Sequence, residues 1–179
     1  MLEKDVKEVL FTNEQINEAC KKLGKQISSD FEGKKPLFVG LLNGCVNFMS
    51  NLLINVDLYC DISFIKVSSY EGTSSTGKIK MKSDLNEEIT GRDIILVDDI
   101  IDTGLTLYRL KHYLLQRGAN SVKVATLLDK KEKRQQDINP DYCCFVIPNV
   151  FVIGYGLDYN EQYRNLPYVG VLKEEIYNK

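Results

Sequence analysis

Three carboxylates, two hydroxyls and one glycine fall within nine positions, at Asp98, Asp99, Asp102, Thr103, Gly104 and Thr106. They follow the apolar run 94–97 and precede Leu107, Leu110, Leu114 and Leu115, whose spacing is helical. The run is short and partly β-branched, which predicts a strand buried on both faces. Two carboxylates then stand at the carboxyl end of a buried strand, the edge where open α/β sheets bind ligands. Thr103, Gly104, Leu105 and Thr106 form the entrance to the helix. Unpaired N–H groups and the positive end of the dipole face outward there, and Gly104 lets the chain bend closely around an anion. A phosphate fits such an entrance. Capping and dipole chemistry explain one or two of these residues, but not three carboxylates.

The elements that must carry this group can be read in order. Thr12-Asn-Glu-Gln15 has the form of a capping box, and Ile16, Ala19, Cys20, Leu23 and Ile27 follow at helical spacing. Residues 37–42 read as a second buried strand, ending in Asn43-Gly44 before a helical stretch with Val46, Met49, Leu52 and Leu53. By itself that turn reads as an ordinary strand-to-helix connection. Residues 58–67 read as a strand, and the small, polar, glycine-punctuated stretch 68–77 as a mobile loop. After the central motif, Arg117-Gly118 ends the helix with a cation in its last turn and glycine at the cap. Residues 122–128 supply another core strand that runs into the charge cluster 129–134, which reads as a solvated loop. Residues 145–147 and 151–153 read as two short strands, followed by an aromatic-rich segment to Arg164. Strand-helix-strand, loop, strand-helix-strand predicts an α/β fold with a mostly parallel twisted sheet flanked by helices.

At 179 residues the chain suits one domain, 1–179, with one substantial core. Its 23 Lys and Arg against 25 Asp and Glu leave a net charge of −2, with no basic run to suggest nucleic-acid binding, so any anion site must be local. The five cysteines, Cys20, Cys45, Cys60, Cys143 and Cys144, show neither a C-x-x-C nor a zinc spacing, and are expected to be reduced and mostly buried. A charged N-terminus and the absence of a bilayer-length apolar stretch point to a soluble, cytoplasmic protein without membrane contact. The only histidine, His112, falls on the helix away from the motif and is expected to be structural or solvent-facing.

Val97-Asp-Asp-Ile-Ile-Asp-Thr-Gly104 resembles the phosphoribosyl pyrophosphate signature of type I phosphoribosyltransferases, and more narrowly its hypoxanthine-guanine form. The resemblance spans residues 12–171. It implies the family fold, with a small hood built from N- and C-terminal segments, and transfer of 5-phosphoribose to N9 of a 6-oxopurine with Mg2+. By resemblance Asp98 and Asp99 hold the ribose hydroxyls and assist the metal, and Asp102 is the general base at the purine N7. Thr103, Gly104, Leu105 and Thr106 hold the 5′-phosphate. Asn43 and Gly44 contact pyrophosphate through their backbone, with Ser69 and Tyr70 of a closing loop and with Arg164. Lys130 donates to the purine O6, Phe151 stacks on the base, the Val152 backbone reads its Watson-Crick edge, and Asp158 lies in the base site and helps bind the magnesium.

Two positions depart from the pattern: relatives often carry Lys or Arg where this chain has Asn43, and a polar or basic residue where it has Leu105. Relatives are dimers or tetramers, which implies a homodimer or homotetramer here. Two other readings stay open: a regulatory nucleotide- and RNA-binding protein on the same fold, of the pyrimidine-operon attenuator kind, and a xanthine-preferring relative. The lack of a basic face and the set Lys130, Phe151 and Asp158 argue against the first. Lys130 disfavours adenine, while the choice between guanine and xanthine rests on backbone contacts at position 2.

Overall fold

The structure, a computed structural model, describes residues 2–68 and 80–178. In chain order the elements are β1 (Val6–Phe11), α1 (Asn13–Asp30), β2 (Leu37–Leu42), α2 (Val46–Leu53), β3 (Asp61–Ser68), β4 (Lys80–Ser83), β5 (Asp93–Ile101), α3 (Leu105–Gln116), β6 (Ser121–Asp129), β7 (Tyr142–Val146), β8 (Val152–Ile153), β9 (Val169–Leu172) and α4 (Glu174–Tyr177). The main sheet has the order β4-β3-β2-β5-β6-β7. Its five strands from β3 to β7 are parallel, and β4 is an antiparallel edge. A second sheet, β1-β9-β8, is antiparallel and joins the two terminal segments into a hood.

β5 lies inside the main sheet, and helices cover both of its faces. Because side chains alternate along a strand, Ile95 and Val97 enter the cluster of Ile16, Ile27 and Phe48, while Ile94 and Leu96 enter that of Leu107, Leu110 and Leu114. All four β5 side chains are fully buried, which explains an unbroken apolar run where a half-exposed strand would alternate. Each such burial stabilises the fold by about 1.5–3 kcal/mol. The first cluster also takes in Val152, Tyr155 and Val169, so the hood closes onto the core of the main sheet.

α1 begins with the expected capping box: the Gln15 amide donates to Thr12 Oγ1 at 3.4 Å and the Thr12 amide to Gln15 Oε1 at 2.9 Å. α3 buries Leu107, Leu110 and Leu114, but Leu115 is 40% exposed. One residue beyond Leu114 is a rotation of about 100°, enough to carry a side chain off the apolar stripe. Gly118 follows the helix with φ +90°, the left-handed cap residue. Arg117 is the cap residue just past the last turn rather than part of it, and its guanidinium donates to Asp84 at 2.9 Å. β3 starts at Asp61 rather than residue 58 because its partner β2 starts at Leu37, directly after Pro36. β7 starts earlier than expected, at Tyr142, where pairing with Ala125 of β6 begins.

All five cysteines are free, yet only Cys20 and Cys45 are fully buried, so the expectation of mostly buried thiols is corrected. The other three lie at partly open edges. Among the described residues no helix is long and apolar enough to cross a membrane.

Candidate active site

The carboxyl ends of β2 and β5 lie side by side, with Gly40 opposite Val97. The strand does not stop before the carboxylates: β5 continues through Asp98 and Asp99 to Ile101, held by β6 on its other side. Both carboxylates are therefore buried, and Asp98 Oδ1 accepts from the Asp99 amide at 3.0 Å. Loss of water raises both carboxyls above the usual carboxylate range, and for Asp98 the neighbouring Asp99 charge adds to this. The Arg164 charge and hydrogen bonds pull Asp99 partly back. The nearby Cys45 thiol is pushed up to about 12, by burial first and then by the charges of Asp98 and Asp99. Among the described residues neither Asp98 nor Asp99 has an ion-pair partner.

The turn after β2 packs on this pair without side chains in between. A Cβ on Gly44 would lie 2.0 Å from Asp99 Oδ2, and one on Gly156 (φ +105°) would lie 2.2 Å from the Gly44 carbonyl oxygen. The peptide between Leu42 and Asn43 is cis. Asn43 lacks a charge, but Lys66, opposite Leu42 on β3, reaches it: Nζ donates to Asn43 Oδ1 at 3.1 Å. A cation does stand at this turn, brought by the neighbouring strand.

Beyond β5 the chain turns into α3 through Gly104, whose φ is +79°. The Leu105 amide donates to Thr103 Oγ1 at 3.3 Å, and a cavity of about 140 Å³ is bordered by Asp98, Asp102, Thr103, Gly104, Leu105 and Thr106. A second cavity, of about 300 Å³, is bordered by Asp99, Asp102, Lys130, Phe151, Val152 and Asp158. Among the described residues only Asp102 and Ile100 border both. Asp102 Oδ1 is buried with no hydrogen-bond partner among the described residues, while Oδ2 lies 3.8 Å from Lys130 Nζ.

Asp129 and Lys130, at 1% and 6% exposure, are the fully buried members of their charge cluster, which corrects the solvated-loop reading for these two residues. Burial lowers the Lys130 ammonium below the ordinary lysine value, Asp102 opposes the shift, and Lys133 adds to it. Phe151 stacks on Tyr177 of α4 at 4.9 Å and meets the edge of Tyr159 at 5.6 Å. Asp158 and Arg164, expected in different roles, pair directly at 2.7 Å; Arg164 also donates to the Gly156 carbonyl at 2.7 Å.

Ser69 and Tyr70 lie outside the described residues. All the other expected site residues are brought to the carboxyl edge of the sheet or to the hood above it. His112 is exposed, its Nδ1 2.8 Å from the Tyr108 carbonyl oxygen. A larger groove, about 780 Å³, opens at the opposite edge among residues 33–35 and 56–59, where β2 and β3 begin. It holds no comparable set of chemically active side chains, and ligands of such sheets bind at the other edge.

Sequence reasoning missed Arg134. It donates from Nε to the Asp102 carbonyl at 3.1 Å, pairs with the buried Asp129, and also donates to the Ile138 carbonyl. Its only sequence signal was a charge within a highly charged stretch.

Comparison with known proteins agrees with this geometry. A family model described as "Phosphoribosyl transferase domain" matches residues 8–160. The hypoxanthine-guanine phosphoribosyltransferase of Streptococcus pneumoniae is 53% identical over 179 residues, covering 99% of each chain. That of Streptococcus agalactiae is 54% identical over 180 residues, covering 100% of each. A crystal structure of a hypoxanthine phosphoribosyltransferase from Staphylococcus aureus superposes with a TM-score of 0.96 at 45% identity, covering 99% of this chain and 97% of that one. With sequence matched end to end and the backbone path shared, the chain belongs to the hypoxanthine-guanine phosphoribosyltransferase family of type I phosphoribosyltransferases.

Proposed function

We propose that this protein is a purine salvage enzyme. It transfers 5-phosphoribose from phosphoribosyl pyrophosphate to N9 of hypoxanthine or guanine, giving IMP or GMP and pyrophosphate. The observation that carries this reading is the position of Asp102. One carboxylate borders both an amide-lined cavity suited to phosphate and a pocket lined by Lys130, Lys133 and one aromatic ring, and its Oδ1 is buried without a partner among the described residues. An unpaired buried oxygen is costly, and a proton donor on the ligand relieves that cost. The purine N7–H is such a donor.

In this reading Thr103, Gly104, Leu105 and Thr106 bind the 5′-phosphate at the helix start, and Asp98 and Asp99 hold the ribose hydroxyls. Phe151 stacks on the base, the Val152 backbone reads its edge, and Lys130 donates to the 6-oxygen, which selects against adenine. Asp102 takes the N7 proton as N9 bonds to the ribose. The backbone of Asn43 and Gly44, with Ser69, Tyr70 and Arg164, holds the departing pyrophosphate, where negative charge grows.

The donor set fits magnesium. Asp98 and Asp99 would supply hard oxygen ligands, buried without an ion-pair partner among the described residues, and Asp158 a third carboxylate, shared with Arg164. Among the described residues no group of three or more His, Cys, Asp or Glu has metal-holding geometry; magnesium usually binds one or two carboxylates and completes its shell with water and substrate phosphates. When bound, the ion neutralises charge on the leaving group. The whole chain, 1–179, acts as one domain in the cytoplasm, on free bases rather than nucleic acid. Ile54, Tyr59, Ile62 and Phe64, exposed along β3 and after α2, support assembly into a homodimer or homotetramer.

The test is Asp102→Asn, followed by hypoxanthine consumption and by IMP binding. Turnover should fall by about 10² to 10⁴, the usual worth of general-base help, with IMP affinity retained. Undiminished turnover would remove Asp102 from the mechanism.

A further inference from the structure

The loop that leads from β5 into α3 is held from behind by one short segment. Three successive carbonyls accept from it: Ile101 from the Lys130 amide at 2.9 Å, Asp102 from Arg134 Nε at 3.1 Å, and Thr103 from the Gln135 amide at 2.9 Å. Arg134 sits at the centre of this contact. Its side chain is 13% exposed and pairs with Asp129, the last residue of β6, whose side chain is 2% exposed. Its stem lies against Gly104, where an added Cβ would come 2.8 Å from Arg134 Cδ and 2.7 Å from Ile138 Cγ2.

A planar trans peptide points its C=O and N–H in opposite directions. With the Asp102 and Thr103 carbonyls turned back towards Arg134 and Gln135, the amides of Thr103 and Gly104 turn the other way. Neither amide has a hydrogen-bond partner among the described residues, and both residues border the 140 Å³ cavity. A buried ion pair is weak evidence for stability, because desolvation offsets its attraction. A planar fork that satisfies a carboxylate and backbone carbonyls together is instead suited to fixing geometry, and lysine cannot copy it.

We propose that Arg134, anchored by Asp129, is a positioning residue for donor binding: it orients the peptides whose amides hold the 5′-phosphate and fixes the backbone of Asp102. This rests on the reading of that cavity as the phosphate site.

The experiment compares Arg134→Met, Arg134→Lys and Asp129→Asn with the unaltered protein, each checked for folding by circular dichroism. In folded Arg134→Met the KM for phosphoribosyl pyrophosphate should rise by about tenfold or more, the loss expected for charge-assisted hydrogen bonds, with the hypoxanthine KM within about threefold. Arg134→Lys should not restore the donor KM, and Asp129→Asn should show the same one-sided change in smaller measure. A donor KM unchanged in folded Arg134→Met, full rescue by lysine, or equal change in both KM values overturns the proposal. Should Arg134→Met fail to fold, Arg134→Lys and Asp129→Asn decide by the same split. Amide resonances give a readout independent of turnover: ribose 5-phosphate should shift Thr103 and Gly104 in the unaltered protein and shift them less in Arg134→Lys. Equal shifts in the two proteins contradict the positioning role. An unaltered protein that converts no base overturns the proposed activity instead.

Discussion

Lys130 is an ammonium taken out of water beside one carboxylate, and its titration reports both facts. Burial lowers its folded value, so it gives up its proton at lower pH than an exposed lysine; Asp102 limits that shift. We predict that in a carbon-13 titration of the lysine Cε resonances one signal moves at lower pH than the rest and is missing from Lys130→Met. In Asp102→Asn it should move at lower pH still, because the carboxylate favouring the charged form is gone. A Lys130 signal titrating with the exposed lysines would contradict the buried placement. The charged donor is the low-pH form, so under the proposed role of Lys130 the binding of a 6-oxopurine is predicted to weaken as pH rises through this depressed value. The sequence supplied the three carboxylates and the helix entrance from spacing alone. It did not supply the burial of Lys130 or Arg134, since a run of Lys and Arg after a strand carries no periodicity. Only the fold decides which of them turns inward.

Among the elements, strand-turn-helix units do the positioning. β5 and α3 were legible because burial on both faces leaves an unbroken apolar run and one-sided burial leaves helical spacing. The turn after β2 was not, because Asn-Gly is common at strand ends. Its role comes from close approach: the Gly44 backbone rests on the Asp99 carboxylate, and Gly156 rests on Gly44. Gly44→Ala must displace either the turn or the carboxylate. Overpacking of this kind costs about 1–3 kcal/mol, and we expect it mainly as lost affinity for phosphoribosyl pyrophosphate, about 5- to 150-fold by calorimetry, in a folded protein. Unchanged donor affinity would show that the turn is not part of the donor site. Lys66 belongs at this scale too. Parallel register with β2 carries its ammonium to Asn43, a relation between strands that no local pattern encodes.

At the scale of the molecule, a parallel sheet gathers carboxylates and helix start at one edge, while the hood folds Phe151, Val152 and Asp158 over that edge. The alternation of strands and helices predicted the sheet. The hood pairs the first strand with the last, and its place came from resemblance, because contacts between chain ends leave no local signal. The whole arrangement makes one claim, that phosphoribosyl donor and 6-oxopurine meet at Asp102. The most direct measurement is an ultraviolet assay of hypoxanthine, guanine, xanthine and adenine with phosphoribosyl pyrophosphate, with magnesium and then with the metal chelated. Conversion of hypoxanthine and guanine that stops on chelation, with adenine inert, is the predicted result. Conversion of no base, or of adenine as readily as hypoxanthine, would contradict the account.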